Sequence, residues 1–324
     1  GQLGGEGKAS VFGEGTLFVS GSKVGWCDNT QFNPADSIIN LLSNYHIYDT
    51  IDSLGMWGVR ATLDDKNGSF RGYNRPMVYS INEKDTLFLS ADTLIAIKDT
   101  LKGVDSLTNP TVLWGWGSAM FFSQSEQGQA DSIHWISAAD YLTLDGHVAL
   151  WNDSIEVLSG HGKMETDSSN QYNRLLFFWE EAFWSRALDP QGFFDQVAGD
   201  SLFIVLHDTI IQQIEVRKNA DILVFIESET AGVYENGNQS NAAYALVQLD
   251  SLGEVVSMRL EEGVVGDVFA ILDKEGIAQP TMLDTYRSLR HVRPKTYVDI
   301  ASNPTKKPPS PLLLYTRYIN QWSK

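Results

Sequence analysis

The sequence predicts an all-β protein in which repeated antiparallel strands stack on one another like the turns of a solenoid. The first indication is a short motif that recurs along the chain. The second is the alternation of apolar and polar residues at 141–150, because a half-buried strand points successive side chains to opposite faces. The third is the turn signal Asn67-Gly68, which favours a chain reversal between two apolar runs.

The recurring motif is the tripeptide Asp-(Ser/Thr)-(Leu/Ile), which occurs twice within the stretch 85–97. Asp, Ser and Thr side chains bond nearby backbone groups in turns, and the apolar residue that follows favours a strand. The motif therefore predicts a turn that leads into a strand, and its repetition indicates repeated structural units. It starts at Asp36, Asp49, Asp52, Asp85, Asp92, Asp99, Asp105, Asp131, Asp153, Asp200, Asp208 and Asp250.

Composition excludes several classes of protein. The chain has 324 residues, of which 43% are hydrophobic and 11% aromatic, so it can bury a substantial core and is not intrinsically disordered. Its formal net charge of -17 argues against binding to nucleic acid, which needs a basic surface. Local basic contacts remain open at Arg71, Arg75, Arg217 and Lys218. No apolar run is long enough for a membrane-spanning helix.

Residues with metal or redox chemistry are few. The single cysteine, Cys27, permits neither an intramolecular disulfide nor a multi-cysteine metal site. The histidines lack a ligand spacing; His161 and His207 could meet in space, but isolated surface or turn histidines explain them better. Nucleotide-binding and hydrolase motifs do not occur in the sequence. We therefore expect no metal site, no cofactor and no catalytic residue.

The N-terminal half is predicted to contain a loose arm followed by strands. Residues 1–30 are glycine-rich with one apolar burst, which predicts an arm and an edge strand. Residues 36–48 fit a helical period in part, but the run that follows them favours strands. At 112–116 both faces are apolar, which is typical of a strand that is buried on two sides or lines an apolar interior.

The C-terminal half combines further strands with two less regular segments. Residues 159–174 are polar and contain glycine, which predicts a surface insertion, and the aromatic residues 175–184 fit either a short helix or apolar strands. Residues 199–206 nearly copy the stretch 85–97, and residues 244–260 fit a hairpin. The proline-rich run 304–311 cannot hold a β-ladder, which predicts an extended tail or strap.

Acidic residues offer two alternative chemistries. Glu180 and Glu181 lie beside Trp179 and Trp184, and polysaccharide-cleaving enzymes use two carboxylates. Adjacent residues on a strand point to opposite faces, however, so these glutamates would not flank one bond, and aromatic packing explains the cluster better. The Asp residues of the repeat lack the glycine companions found in calcium-binding β-helices, which favours turn capping.

The order of the repeated motifs resembles a known family. At 85–94, 128–133 and 199–202 the sequence resembles the OstA-like family, related to the periplasmic lipopolysaccharide-transport protein LptA and to the N-terminal domain of LptD. The family alternates this strand with a Leu-(Thr/Ser)-Gly-x-(Val/Ala) strand, to which residues 142–151 and 158–162 are similar. The resemblance covers roughly residues 30–265. The segment 159–174, the aromatic cluster after it and the proline-rich tail depart from the family pattern.

The resemblance implies an open, V-shaped β-jelly roll (a β-taco) whose apolar trough holds the acyl chains of a lipid. It implies an arm and edge strand at 1–30, an OstA-like domain at 31–270 with an insertion near 159–174, and a proline-rich tail at 271–324. By strand parity the lining, lipid-binding residues are Leu87, Leu89, Trp114, Trp116, Ile133, Trp135, Leu142, Leu144, Val148, Leu202 and Ile204.

The implied function is non-enzymatic binding and transfer of a glycolipid, lipopolysaccharide or a related molecule, in the periplasm and toward the outer membrane. Other transport components or a second copy would join by β-strand addition, since edge strands expose unpaired backbone groups. Two alternatives stay open. A carbohydrate-active β-solenoid enzyme predicts a cleft with two carboxylates about 5 to 10 Å apart. A surface adhesin or structural β-protein predicts a trough filled by its own side chains.

Overall fold

The fold is described by a computed structural model. It describes residues 2–3, 9–11, 15–20, 22–33, 37–51, 53–64, 66–81, 85–98, 111–136, 141–170, 172–188, 192–207, 210–230, 232–272 and 281–301, together with residues 310, 313 and 316. The motif copies that begin at Asp36, Asp52, Asp99, Asp105 and Asp208, and nearly all of the proline-rich run, lie outside the described residues.

The described residues form antiparallel strands almost exclusively, which confirms the all-β prediction. In chain order the strands are β1 (Gln2–Leu3), β2 (Ala9–Val11), β3 (Thr16–Ser20), β4 (Lys23–Asn33), β5 (Ile38–Asp49), β6 (Leu54–Gly58), β7 (Arg60–Asp64), β8 (Ser69–Tyr73), β9 (Met77–Ile81), β10 (Thr86–Ser90), β11 (Thr93–Lys98), β12 (Thr111–Phe122), β13 (Gln127–Ile136), β14 (Tyr141–Asn152), β15 (Ile155–Thr166), β16 (Asn173–Leu188), β17 (Phe193–His207), β18 (Ile210–Glu227), β19 (Tyr234–Leu249), β20 (Val255–Glu261) and β21 (Val265–Ala270).

Helical structure in the described residues includes a 3₁₀ turn, Arg290–Val292, and the short helix α1, Tyr297–Ile300. Across the described ranges, the helices are too short or too polar to cross a lipid bilayer.

The chain divides into two compact units. Unit 1 comprises Gly1–Gln127, Asp131–Ala138 and Pro294–Lys324, and unit 2 comprises Gly128–Ala130 and Ala139–Arg293. In both units, long strands are shared between two antiparallel ladders, and each ladder takes one half of the shared strand.

In unit 1 the strand β5 shows this sharing most clearly. Its residues 45–49 pair with β6, and its residues 38–41 pair with β7. Ladder A of unit 1 continues from β6 through β9 and β10 to residues 120–122 of β12. Ladder B of unit 1 continues from β7 through β8 and β11 to residues 111–116 of β12. The long strands β5 and β12 therefore join the two ladders.

In unit 2 the strands β14 to β19 pair in sequence order, and the register of each neighbouring pair shifts near its middle. Strand β19 then divides, because its residues 244–249 pair with β20 and its residues 236–241 pair with β21. Ladder B of unit 2 is the half that ends in β20, and ladder A is the half that ends in β21. Strand β18 has 18 residues, whereas an ordinary strand has about 5 to 6, because it serves both ladders.

Left-handed backbone marks the bends between the ladders. Asn44, Ser118, Glu180 and Lys218 all have positive φ in the middle of long strands. Such conformations locally break the regular ladder and redirect the strand. Gly117 has a φ of +78°, and a Cβ at this position would lie 2.5 Å from the Asp92 carboxylate, so glycine is required there for two reasons.

The repeat motif occupies some of these bends as well as ordinary turns. Asp153 and Asp250 lie between strands, as predicted. Asp131 and Asp200 lie inside β13 and β17, so the predicted turn is wrong at these two copies. The Asn219 Nδ2 atom donates a 2.8 Å hydrogen bond to Asp200 Oδ1 from the neighbouring strand. The side-chain chemistry that supports turns thus also operates at a bend inside a strand.

Four other segments can be compared with the sequence prediction. Residues 159–166 continue β15 rather than forming a surface insertion, because their polar side chains occupy the accessible face of a regular strand. Residues 175–184, for which helix and strand were both open, form the middle of β16. The predicted strand at 36–48 and the predicted hairpin at 244–260 are confirmed by β5 and by the pairing of β19 with β20.

The C-terminal segment packs on ladder A in each unit. In unit 2, residues 281–293 cross ladder A and bury Leu283 in a cluster with Trp151 and Phe183. In unit 1, the Tyr297 ring of α1 stacks on Phe88 of β10 with ring centroids 4.8 Å apart. One face of each ladder A is therefore covered by chain that follows the last strand.

Candidate functional site

The residues predicted to line a lipid trough fall into both units. Leu87, Leu89, Trp114, Trp116, Ile133 and Trp135 belong to unit 1, and Leu142, Leu144, Val148, Leu202 and Ile204 belong to unit 2. Within unit 1, Trp114 and Trp116 line one cleft together. The lipid-binding role of the whole set stays a prediction.

Most of the aliphatic members of this set are core residues. Leu202 is 0% exposed and Ile204 1%, and Leu89, Ile133, Leu144 and Val148 are also buried. Buried side chains of this kind stabilise the fold by about 1.5 to 3 kcal/mol each. They would touch a ligand only if the strands around them moved apart.

The space between the two ladders of unit 1 is small. Ile47, Leu54 and Met56 of ladder A and Leu63, Phe70 and Ala96 of ladder B line a cavity of about 30 Å³. Tyr45 and Phe70 meet edge to face, with ring centroids 5.8 Å apart. The facing sides of the ladders are therefore apolar and nearly filled by their own side chains.

A larger cleft lies on the opposite face of ladder B in unit 1. Its volume is about 430 Å³, within the range of about 300 to 1,000 Å³ that is usual for small-molecule sites. It is lined by Ile38, Thr62, Asp64, Ser69, Phe70, Arg71, Tyr73, Ile95, Ile97, Trp114 and Trp116. Strand alternation creates it, because Leu113 is fully buried whereas Trp116 is 44% exposed.

The strand register fixes the order of the side chains across the cleft. Arg71 of β8 lies opposite Thr62 on one side and opposite Ile95 on the other. Ile95 in turn lies opposite Trp114. Because directly opposite residues share a face, these four side chains form one row across ladder B. Arg71 is thus two strand spacings, about 10 Å, from the Trp114 strand.

The aromatic side of the cleft is an ordered platform. The Trp114 and Trp116 rings are parallel within 8°, with centroids 6.5 Å apart. The His134 ring is parallel to the Trp114 ring within 6° at 5.0 Å. The His134 ring therefore packs against the Trp114 ring, and the more exposed Trp116 ring lies next to Trp114.

The polar side of the cleft carries both signs of charge. Asp64 accepts hydrogen bonds from the backbone and side chain of Asn67, and these bonds lower the pKa of its carboxyl group below the ordinary value. The carboxylate therefore stays ionised in the neutral pH range. Arg71 is exposed, and the Arg60 guanidinium lies 5.7 Å from the centre of the Tyr73 ring.

The corresponding face of ladder B in unit 2 is also aromatic, but its charges are paired within the chain. The His161 ring stacks on Trp179 at 5.3 Å and contacts Asp145 at 2.9 Å. Lys163 lies 2.7 Å from Glu165, and a hydrogen bond to Glu165 raises the pKa of the lysine. In the same way, the Arg217 guanidinium donates a hydrogen bond to Glu215.

The covered face of ladder A in unit 2 is held by buried polar groups. Glu156 Oε1 accepts 2.8 Å hydrogen bonds from the Trp151 indole and from the backbone N–H of Leu289. Gln196 Oε1 accepts a 2.9 Å bond from the backbone N–H of Leu283. The Glu156 side chain is fully buried, so residues 281–293 supply partners that the ladder itself does not.

A second carboxylate of this face is buried beside an arginine. Arg186 Nη2 lies 2.6 Å from Asp195 Oδ2. Burial raises the pKa of the Asp195 carboxyl group, and the charge of Arg186 opposes this shift without reversing it. The pair supports the fold, because Asp195 also accepts a hydrogen bond from the backbone N–H of Phe225.

The paired glutamates of β16 do not form a two-carboxylate site. Glu180 contacts His161 Nε2 at 3.1 Å, whereas Glu181 contacts Arg287 at 2.9 Å. Both lie at the bend of the strand with positive φ. His207 Nδ1 donates a 2.9 Å hydrogen bond to Asn173 Oδ1, so His207 has a different set of partners from His161. Within the described residues, no group of three or more His, Cys, Asp or Glu side chains could hold a metal ion.

Sequence reasoning found part of the cleft and missed the rest. Trp114 and Trp116 were predicted to line a lipid trough, but they line this cleft on the face of ladder B opposite the space between the ladders, and Arg71 was noted as a local basic contact. Tyr73, Ile95 and Asp64 were missed, since they join the two tryptophans only through the pairing of β7, β8, β11 and β12. The available signal was their alternation in strands, but alternation does not reveal which strands are neighbours.

Comparison with known proteins gives a limited result. No protein-family model matches the chain, and no curated protein matches it. The chain is similar to a solved structure of LptH from Pseudomonas aeruginosa, the LptA-homologous periplasmic component of the lipopolysaccharide transport device. The match has 15% identity and a TM-score of 0.31, and it covers 44% of this chain and 94% of LptH. Likeness at this level establishes neither the family nor the function of the chain.

Proposed function

We propose that the chain binds and transfers a glycolipid of the lipopolysaccharide type without making or breaking covalent bonds. The acyl chains would lie between the two ladders of a unit, which would open as a V-shaped β-jelly roll. The observation that carries the proposal is the apolar cavity between the ladders of unit 1, which is lined by Ile47, Met56, Leu63 and Phe70 among others. Transfer of acyl chains from water into such a space is favourable by about 0.8 kcal/mol per buried CH₂ group.

The volume of this cavity sets a condition on the proposal. About 30 Å³ accommodates one or two water molecules and not an acyl chain. The ladders must therefore separate during binding, with β5 and β12 as the shared strands about which they move. Lys23 and Asp49 also line the cavity and are paired across β4 and β5, so the cavity presents charged as well as apolar groups to a glycolipid.

The end of the ladders in unit 2 supports a role for strand addition. Among the described strands, β20 and β21 each pair with β19 and with no second strand. Val256 in β20 and Val265 and Val268 in β21 are exposed, with Val265 at 70%. A strand that joins these edges would satisfy backbone groups and cover the valines. The proposed partners are other transport components or a second copy, in the periplasm and associated with the outer membrane.

The small size of the cavity favours one alternative, a surface adhesin or structural β-protein whose trough is filled by its own side chains. Where the cavity lies, side chains of both ladders leave only about 30 Å³ between them. A carbohydrate-cleaving enzyme receives no such support from Glu180 and Glu181, since these two residues are engaged with His161 and Arg287.

Binding of intact and deacylated lipopolysaccharide separates these functions. We expect intact lipopolysaccharide to remain bound in native mass spectrometry, and we expect replacement of the cavity-lining Ala96 by leucine to weaken this binding by about tenfold, because the added carbons fill the cavity. The matched control is Ala243→Leu on an exposed position of β19, which should leave binding unchanged. An equal effect of Ala96→Leu on the binding of intact and of deacylated lipopolysaccharide, or no effect on either, would contradict acyl-chain binding between the ladders.

A further inference from the structure

We propose that the 430 Å³ cleft on ladder B of unit 1 binds an acidic oligosaccharide, with sugar rings on Trp114 and Trp116 and an anionic substituent on Arg71. The site lies on the opposite face of ladder B from the cavity between the ladders. Saccharide binding at this site requires no separation of the ladders and does not depend on the lipid binding proposed above.

The aromatic platform indicates a saccharide. A sugar ring presents C–H groups on its faces and hydroxyl groups around its edge, so it can cover an aromatic ring while its hydroxyls remain hydrogen bonded. Trp116 is 44% exposed and lies parallel to Trp114, which itself stacks on His134. The platform is therefore flat and supported before any ligand arrives, which limits the conformational entropy lost on binding.

The polar residues of the cleft fit the edge of the same ligand. Asp64 is held ionised by Asn67 and accepts hydrogen bonds from hydroxyl groups. The Thr62 hydroxyl donates a 3.1 Å bond to Asn40 and keeps its lone pairs for a ligand hydroxyl. Both residues lie on β7, next to Arg71 on β8.

The position of Arg71 indicates that the saccharide is acidic. Arg71 lines the cleft and belongs to the row of Thr62, Ile95 and Trp114, in a chain whose net charge is -17. A guanidinium binds carboxylate or phosphate groups through two parallel hydrogen bonds. A saccharide about two strand spacings long would reach from the Trp114 strand to Arg71.

The sheet topology argues against a peptide as the occupant. The strands β7, β8 and β11 are each paired on both sides, so their backbone groups are already hydrogen bonded. An extended peptide that joined by strand addition would need a free edge, which the centre of ladder B does not offer. Recognition in the cleft must therefore come from side chains, as it does for a sugar.

Titration calorimetry of the full chain with two saccharides tests the proposal. The acidic probe is an oligogalacturonate and the neutral probe is a cello-oligosaccharide of equal length. We expect Trp116→Ala to weaken the binding of the acidic probe by about tenfold, since one stacking surface is lost. Arg71→Gln should weaken it by about tenfold as well, since a charged hydrogen bond is lost, while binding of the neutral probe changes by less than about twofold.

The controls are Arg217→Gln, which removes an exposed arginine from ladder B of unit 2, and Ala96→Leu, which fills the cavity between the ladders of unit 1. Both should leave binding of the acidic probe unchanged, so failure of lipid binding and failure of this site are distinguishable. Thermal unfolding checks that each variant is folded, and Trp116→Phe should restore most of the affinity because it keeps an aromatic face. Failure of the acidic probe to bind, or full binding by Trp116→Ala or Arg71→Gln, would overturn the proposal.

Competition identifies the source of the saccharide. Displacement of oligogalacturonate by deacylated lipopolysaccharide would assign the cleft to the headgroup of a glycolipid. Retained oligogalacturonate binding without displacement would assign it to a free acidic glycan.

Discussion

Two faces of the protein have the same kind of antiparallel strand pairing but differ in their exposure to solvent. One is the covered face of ladder A in unit 2, and the other is the open face of ladder B in unit 1. On the covered face, Glu156 and Gln196 are buried and bind the backbone of residues 281–293. On the open face, Trp116 and Arg71 are exposed and line a cleft. Both faces place polar and aromatic side chains in cross-strand rows, and among the described residues the difference is that 281–293 pack on the covered face.

This difference indicates which face of the protein is accessible to a ligand. A buried carboxylate such as Glu156 needs hydrogen bonds and a nearby positive charge, and the C-terminal segment supplies the backbone N–H of Leu289 and the guanidinium of Arg290, which lies 3.6 Å from the carboxylate. On the open face, the charged residues that line the cleft, Asp64 and Arg71, are half-buried and exposed, respectively. Unit 2 offers a third case, in which an aromatic face stays accessible but Lys163 and Arg217 are paired with Glu165 and Glu215.

The largest effect is expected from Glu156→Ala on the covered face. Removal of the carboxylate leaves the Trp151 indole, the Leu289 backbone and Arg290 without their buried partner, which should lower the free energy of unfolding by about 3 to 5 kcal/mol. Chemical denaturation measures this loss, and limited proteolysis should show faster cleavage within 281–293. The control Glu165→Ala removes a surface ion pair and should cost less than about 1 kcal/mol. Similar losses for both variants would show that the covered face is not specially dependent on Glu156.

A smaller effect is expected at the bend next to the open face. Gly117→Ala forces a side chain into left-handed backbone and against the Asp92 carboxylate, so we expect a loss of roughly 3 kcal/mol. Gly192 has the same φ of +78° but open space around it, and Gly192→Ala should cost about 1 kcal/mol. Thermal unfolding of the two variants measures how much stability is lost through contact with Asp92, because the backbone strain is the same at both glycines. An equal loss at both glycines would exclude a steric role for Asp92.

The free energy of unfolding should depend little on the exposed Trp116 ring of the open face. Trp116 keeps 44% of its surface exposed, so Trp116→Ala should lower the free energy of unfolding by only about 1 kcal/mol. Urea denaturation measures this value. A loss comparable with that of Glu156→Ala would mean that the ring serves the fold and not a ligand.

The smallest effects concern two carboxyl groups, one on each face. The pKa of Asp64 is lowered, so its contribution to stability is present above its ordinary pKa and is lost as the pH falls through the lowered value. The pKa of Asp195 is raised by burial, so its contribution is present below the ordinary pKa and is lost as the pH rises through the raised value. NMR titration of the two side chains should place Asp64 below Asp195. Asn67→Ala should raise the pKa of Asp64 and leave Asp195 unchanged, and the reverse order of the two values would contradict both assignments.

Local patterns in the sequence predicted where strands lie more reliably than which strands pair with one another. The alternation of 141–150 and the repeat at 85–97 were sufficient to predict β14, β10 and β11, because the period of side-chain direction is a local property. The polar residues of 159–166 were misjudged, because a strand with an accessible polar face resembles a surface loop when its partners are unknown. Strand parity also selected Leu202 and Ile204 as lining residues; both are buried, and their lipid-binding role stays a prediction.

The sequence alone determined that the chain is all-β, repetitive, strongly acidic and rich in apolar strands, since composition and period-two alternation depend only on residue order. The tertiary structure alone decided that long strands serve two ladders and that Asp131 and Asp200 lie inside strands. It also decided that Arg71, Ile95 and Trp114 share one row. The physical reason is that register and bends arise from pairing between distant segments, and a shift of one residue would turn each of these side chains to the other face.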